Sequence, residues 1–299
     1  MNLIDYEDKY GTLRVLIYGL PNSGKSTLAA TLAEKYNLIW IDLENSLDTL
    51  TKLPYEIKKN IQVFKIPDTA SLPVAAHTIQ YLFKDKLATL CVEHGIIDCP
   101  ECKKLKAAFD TIDLRNLDPK KDVVVLDGLT QLGYSFLMHQ TKKLDIDDKP
   151  ERDHWGALRK QTEYFASNIQ NVPFNLVVTA LTSETTLDNG QTRLVPSFGS
   201  KDMGANMPAK FSTLVYTDVI SKKHKAYSSS TASNSFMSRS RAGFRIEDLP
   251  EPNLCPMFDS YLAQHTGGTE KLTPAPPPVA AGKTPDRSTS ILNNLKRKL

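Results

Sequence analysis

The sequence predicts an α/β fold, a mostly parallel central sheet flanked by helices. Three observations predict it. Short runs of branched apolar residues recur along the chain, and several are followed by stretches with helical spacing. Runs apolar at every position read as strands buried on both faces, and helices packed on a parallel sheet provide that burial. A glycine-punctuated loop joins the first such strand to the first such helix. Hydrophobic residues make up 40% of 299, enough for one large core.

Taken in order, Leu13–Tyr18 (LRVLIY) is the first buried strand, Gly19–Thr27 the loop, and Ser26–Tyr36 a helix with Leu28, Leu32 and Ala33 on one side. Leu38–Asp42 and Ile61–Ile66 are further strands, and Ala70–Phe83 has helical spacing. Residues 86–106 break the pattern with a Cys/His cluster. Val123–Asp127 (VVVLD) is a strand, His154–Asn171 a long amphipathic helix, and Leu176–Leu181 the strand after it. Thr185–Ala209 is polar, Phe211–Ile220 returns to strand-like alternation, and Ser221–Ser240 is rich in Ser, Lys and Arg. From about 264 the chain turns rich in Pro, Gly, Thr and Ala, the composition of a flexible linker, and the final SILNNLKRKL could form a short basic amphipathic helix on a partner.

Composition excludes several classes. No apolar run reaches about 18 residues, so no membrane-spanning helix is expected. The opening MNLIDYEDKYGTLR has early acids and no apolar stretch and does not read as a signal peptide. Four cysteines, three of them clustered with a histidine, suit a reducing, cytoplasmic setting better than a disulfide scaffold. The net charge of +3 is uneven: the stretch from His265 carries six basic and two acidic residues, leaving 31 basic and 32 acidic elsewhere. Nucleic-acid contact would therefore need local patches.

Gly19–Ser26 (GLPNSGKS) matches G-x-x-x-x-G-K-[ST], with the preceding strand and following helix that this phosphate-binding loop requires. Gly19 and Gly24 allow a tight wrap in which the backbone N–H groups of Asn22, Ser23 and their neighbours turn inward toward phosphate. The helix N-terminus adds positive dipole. Lys25 would meet the β- and γ-phosphates of ATP, Ser26 would ligate Mg²⁺, and Thr27 would lie nearest the α-phosphate. Asp127, at the C-terminal end of a buried strand, is placed to hold Mg²⁺ as the Walker B group.

Many P-loop ATPases carry a glutamate directly after that aspartate; here the position is Gly128. The water-activating carboxylate must come from elsewhere. Glu44, just past the end of the second strand, would stand at the same sheet edge as the loop, within reach of a γ-phosphate.

The runs IWIDLENSLDTL, IPDTASLPVAAHTI, VVVLDGL and LVVTALTSE occur in the order seen in bacterial RecA, and residues 12–220 resemble it. The chain is most similar to the short RecA-like ATPases of bacteriophages, which act in single-strand annealing and recombination; Asp153-His-Trp-Gly-Ala-Leu158 looks like a helix start of that group. The resemblance implies a RecA-like P-loop NTPase core, Glu44 as the catalytic carboxylate, single-stranded DNA as partner, a homo-oligomer (ring or filament), and host cytoplasm as location. It also implies two DNA-facing loops, here 141–153 and 185–209, the second with Arg193, Lys201, Lys210 and Phe198, and a basic residue inserted across the subunit interface. Departures are the missing N-terminal domain, Thr182-Ser183 where RecA has a glutamine, and a basic tail in place of an acidic one.

Cys91-x-x-His94 and Cys99-x-x-Cys102 supply the S₃N set that structural Zn²⁺ prefers, on an insertion at 86–106. Residues 221–245 carry six Lys/Arg and no acid, with Arg239 and Arg241 as candidates for DNA contact or for the neighbour's ATP, against the alternative of a solvated hairpin. The expected organisation is one ATPase domain over 1–262 and a flexible Pro-rich basic tail over 263–299. The cluster Lys296, Arg297 and Lys298 could meet an acidic single-strand-binding protein. The expected function is a DNA-dependent ATPase; a helicase or loader subunit, and a nucleotide-gated DNA-binding scaffold with little turnover, are the alternatives. A small-molecule kinase fits less well, because no arginine-rich lid stands out.

Overall fold

The computed structural model describes residues 11–265 apart from 70, 71, 146, 187–189, 232, 233 and 242. Its strands are β1 (Arg14–Gly19), β2 (Asn37–Asp42), β3 (Ile61–Lys65), β4 (Leu87–Cys91), β5 (Phe109–Asp113), β6 (Asp122–Asp127), β7 (Asn175–Thr186), β8 (Thr192–Pro196), β9 (Thr213–Ile220), β10 (Lys223–Tyr227) and β11 (Arg239–Ser240). The central sheet runs β10-β9-β1-β7-β6-β2-β3, with β8 on β7 and β11 on β9; β4 and β5 form a separate hairpin. From β9 to β3 all neighbours are parallel, whereas β10, β11 and β8 join antiparallel.

Side chains alternate across a strand, so each apolar run supplies two faces. Leu16, Tyr18, Leu126 and Val178 point to a core that also holds Ile79 and Phe83 of α4 (Val74–Asp85), Leu132 and Phe136 of α6 (Leu129–Thr141), and Phe165 of α7 (Arg152–Gln170). Val15, Ile17, Trp40 and Val125 point the other way, against Leu28 of α1 (Lys25–Ala30) and Phe258 of α9 (Cys255–His265). Short helices α2 (Asp48–Thr51), α3 (Tyr55–Lys58), α5 (Pro100–Leu105) and α8 (Lys201–Asn206) complete the set.

Several expectations shift. The helix expected to reach Tyr36 passes at Thr31 into a 3-10 turn. The Thr31 hydroxyl donates back to Leu28 O and accepts from Leu254 N, while its carbonyl accepts from Cys255 Sγ. The C-terminal segment is thus docked on that turn. The helix expected from Ala70 begins at Val74, directly after Pro73. α9 continues past the boundary expected at 262, and its Tyr261 donates to Thr12 O. Both the remaining tail and Lys296–Lys298 lie outside the described residues. Residues 185–209 are not one loop: β7 extends to Thr186, β8 returns antiparallel, and α8 follows. Phe198 is only 1% exposed and packs on Phe136 and Phe165, so it cannot serve as a stacking platform for a DNA base.

Candidate nucleotide site and metal knuckle

β1 ends between β7 and β9, which delivers the loop after Gly19 to the middle of the sheet's C-terminal edge. Asn22 (φ 60°) and Gly24 (φ 91°) take left-handed backbone that lets the loop close. A Cβ on Gly24 would also lie 2.8 Å from His224 Nδ1 of β10. The buried Ser23 hydroxyl pairs with Thr217 Oγ1 of β9 at 2.8 Å, fixing the loop to the neighbouring strand. Lys25 folds its amine onto the loop, donating to Leu20 O (2.9 Å) and Gly19 O (3.3 Å). Burial lowers its pKa, and the charges of Glu44 and Asp127 partly oppose that. An arriving phosphate would favour the charged amine further.

Asp127 is 5% exposed at the end of β6. It accepts a hydrogen bond from Thr179 of β7, and Ser26 also bonds its carboxylate. Burial nevertheless pushes its pKa upward. Asp42, at the end of β2 and in register with Asp127, accepts from Glu44 N (3.1 Å) and Ser46 N (3.4 Å) through Oδ1, while its buried Oδ2 has no hydrogen-bond partner. Glu44 stands at the solvent-open mouth with its carboxyl end turned in against Gly128. Loss of water around that end, then the charge of Asp127, raises its pKa. Three carboxylates thus face one another with Lys25 as the nearby cation, an excess that a divalent ion would offset. The donor set fits Mg²⁺, with Ser26 and Asp127 as the groups that would hold it.

All the expected groups, Gly19 to Thr27, Asp127 and Glu44, therefore meet at one sheet edge. The sequence reading missed Thr179, Thr217 and His224 as parts of it. A polar residue inside an apolar run, such as Thr179 in LVVTAL, was the available signal.

Arg239 and Arg241 lie elsewhere. β11 pairs with Leu214 and Thr213 at the start of β9, the end of the sheet opposite the phosphate loop. The Arg239 guanidinium donates to Pro208 O (2.8 Å) and Phe211 O (2.7 Å), and Arg241 is exposed. Lys210 donates to Gln170 Oε1 at 3.3 Å.

Cys91 closes β4, Cys99 precedes α5, and Cys102 lies within it. His94 Nδ1 is 3.8, 3.7 and 3.3 Å from the three sulfurs, and the four ligand atoms all lie within 4.8 Å of one another. The thiols are buried. This set could hold a metal ion, and three thiolates with one imidazole suit Zn²⁺.

A family model described as AAA domain matches residues 12–242. No curated protein matches the sequence. Among solved structures the chain is similar to an ATPase from the type III secretion system of pathogenic bacteria, with 11% identity and a TM-score of 0.42. The alignment covers 71% of this chain and 55% of that one, so the chain spans little more than half its length. No helix among the described residues is long and apolar enough to cross a membrane.

Proposed function

Because the chain belongs to the AAA domain family, we propose that it is an ATPase whose hydrolysis is coupled to single-stranded DNA, acting in annealing or recombination of the bacteriophage type. The observation that carries the nucleotide half is the convergence of Lys25, Ser26, Asp127 and Glu44 on one sheet edge. Lys25 and the loop amides bind the phosphates, and Ser26 and Asp127 hold Mg²⁺, which supplies charge neutralisation at the γ-phosphate. Glu44 takes a proton from the attacking water.

The DNA half is supported by a cleft that brings the two expected DNA loops together. Arg152 and Asp153 from the first, Ser200 and Asp202 from the second, and Trp155 and Arg159 line it. Trp155 is 44% exposed, and an exposed indole beside guanidinium groups suits base stacking. Single-stranded DNA should stimulate turnover, measured by phosphate release with and without oligonucleotide. Trp155→Ala should weaken DNA binding by about 1–3 kcal/mol and leave DNA-free turnover unchanged. Absence of both effects would remove DNA from the assignment.

The knuckle is proposed to carry Zn²⁺. Of the two arginines, Arg241 is the better candidate to reach a neighbouring subunit, since Arg239 is engaged by two carbonyls. Turnover should then rise more steeply than linearly with protein concentration, and Arg241→Ala should abolish that rise. A linear dependence in the unmodified chain would argue against a shared site.

A further inference from the structure

The metal ligands stand one strand away from the hydrolytic carboxylates, and the segment between them is short. Gly95, next to the ligand His94, has φ of 65°. A Cβ there would lie 2.5 Å from Lys65 O and 2.8 Å from Ile66 Cα. The backbone of the ligand turn therefore rests directly on the backbone at the end of β3, a seat that no side chain could share. Gly95 N donates to Cys91 O (2.9 Å), and Gly95 O accepts from Thr78 Oγ1 of α4 (3.0 Å). Beyond the seat, Ile66 N donates to Asp42 O (2.9 Å), and Asp42 Oδ1 in turn accepts from Glu44 N (3.1 Å).

On the far side of Ile66, Asp68 is held by Ala75 N, Ser135 Oγ and Gln131 Nε2. Residues 66–68 are thus gripped by α4 and α6 on one side and by the Gly95 turn on the other. The hairpin that carries Cys91 is anchored independently, through Ala88, Leu90, Ile112 and Leu114 in the main core. Losing the metal would leave that hairpin in place, and Ile96 and Ile97 would stay packed on the same core. What the ion alone supplies is the tie from His94 to the three sulfurs, which holds the adjoining Gly95 down on its seat.

We propose that the metal-loaded knuckle is a positioning element for the hydrolytic carboxylate. With Zn²⁺ on Cys91, His94, Cys99 and Cys102, Gly95 stays seated on Lys65–Ile66, and the Asp42–Glu44 turn keeps its place at the γ-phosphate. Without the ion the seat loosens, and Glu44 drifts while the phosphate loop, on the other half of the sheet, still binds nucleotide. The inference rests on Glu44 being the base. Its signature is a split between turnover and affinity, because small misplacements of a reacting group cost rate without costing ground-state binding.

The test compares the full chain as purified, the same protein depleted of metal by a chelator under reducing conditions, and Gly95→Ala. Each is assayed for zinc content, affinity for a non-hydrolysable ATP analogue, helical circular dichroism and kcat. Depletion should lower kcat by about 10- to 100-fold with nucleotide affinity nearly unchanged, and added Zn²⁺ should restore it. Gly95→Ala, whose Cβ must push the turn off Lys65–Ile66, should keep its helical content, show a similar loss of kcat, and resist rescue by Zn²⁺. A depleted, folded protein with unchanged kcat overturns the proposal, as does a depleted protein in which affinity and helicity fall along with kcat. Protein purified without chelator that holds no zinc, or a Gly95→Ala protein with wild-type kcat, overturns it equally. A purified, zinc-loaded chain without turnover instead defeats the ATPase reading on which the inference rests.

Discussion

Glu44→Gln should bind ATP about as well as the unmodified chain and hydrolyse it about 10²–10⁴-fold more slowly. The amide keeps the size and hydrogen-bonding reach of the carboxylate but cannot accept the proton of the attacking water. Glu44 sits where desolvation and Asp127 raise its pKa, and it works in its deprotonated form. Turnover should therefore fall as pH drops through that raised value, giving an acid limb above the ordinary carboxylate range. The limb should vanish in Glu44→Gln. Phosphate release across a pH series checks both points. A limb that persists in the variant would belong to Asp42 or Asp127, whose pKa values burial also raises, and would end the assignment of Glu44.

Gly128→Ala is the second change with a large expected effect, and the fold should survive it. The backbone at Gly128 is extended (φ −146°, ψ 151°), which alanine adopts freely. Its Cβ would arrive 2.4 Å from Glu44 Oε1 and 3.3 Å from Thr179 Oγ1. The nearer atom is the end of a flexible side chain, so the carboxylate swings away and the sheet stays intact. Displacing the base by an ångström or so should cost on the order of 10²-fold in kcat, with thermal stability close to that of the unmodified chain. Combined with Glu44→Gln it should add little, since both changes disable one group. A single variant with normal kcat would mean that the inward pose of Glu44 is not the working one.

The absence of a carboxylate at position 128 was legible in the sequence, and its reason becomes visible only in three dimensions. The space beside Asp127 that a side chain at 128 would fill is taken by Glu44 from β2's end. The phosphate loop, the buried strands and the long α7 helix were readable because each follows a local rule of spacing or chemistry. The capping of α7 by Glu151 and His154 adds to that local definition. The helix α6 was missed, because Gly133 sits in it and its apolar residues form no clean stripe. Gly133 allows a close approach to the backbone of Gly199, a reason that spacing along the chain does not reveal. Phe198 was misread for the related reason that a polar, glycine-bearing sequence can still bury one large ring. Asp42, Thr217 and His224 come from three separate strands, and their meeting at the loop depends on strand order, which no local pattern encodes.

That strand order also governs how the chain is born. β1 is synthesised first, yet its partners are β7 and β9, and the Leu13–Asn175 hydrogen bond spans 162 residues. At ribosomal speeds of roughly 5–20 residues per second, β1 waits on the order of ten seconds or more for a neighbour. Meanwhile β2, β3 and β6 can pair with one another as soon as Asp127 has emerged. The Asp127 half of the sheet can therefore assemble before the phosphate-binding half, with an apolar segment left open beside it. The loop gains its anchor on Thr217 later still. Cellular ATP can thus stabilise the nascent protein only after Thr217 has emerged.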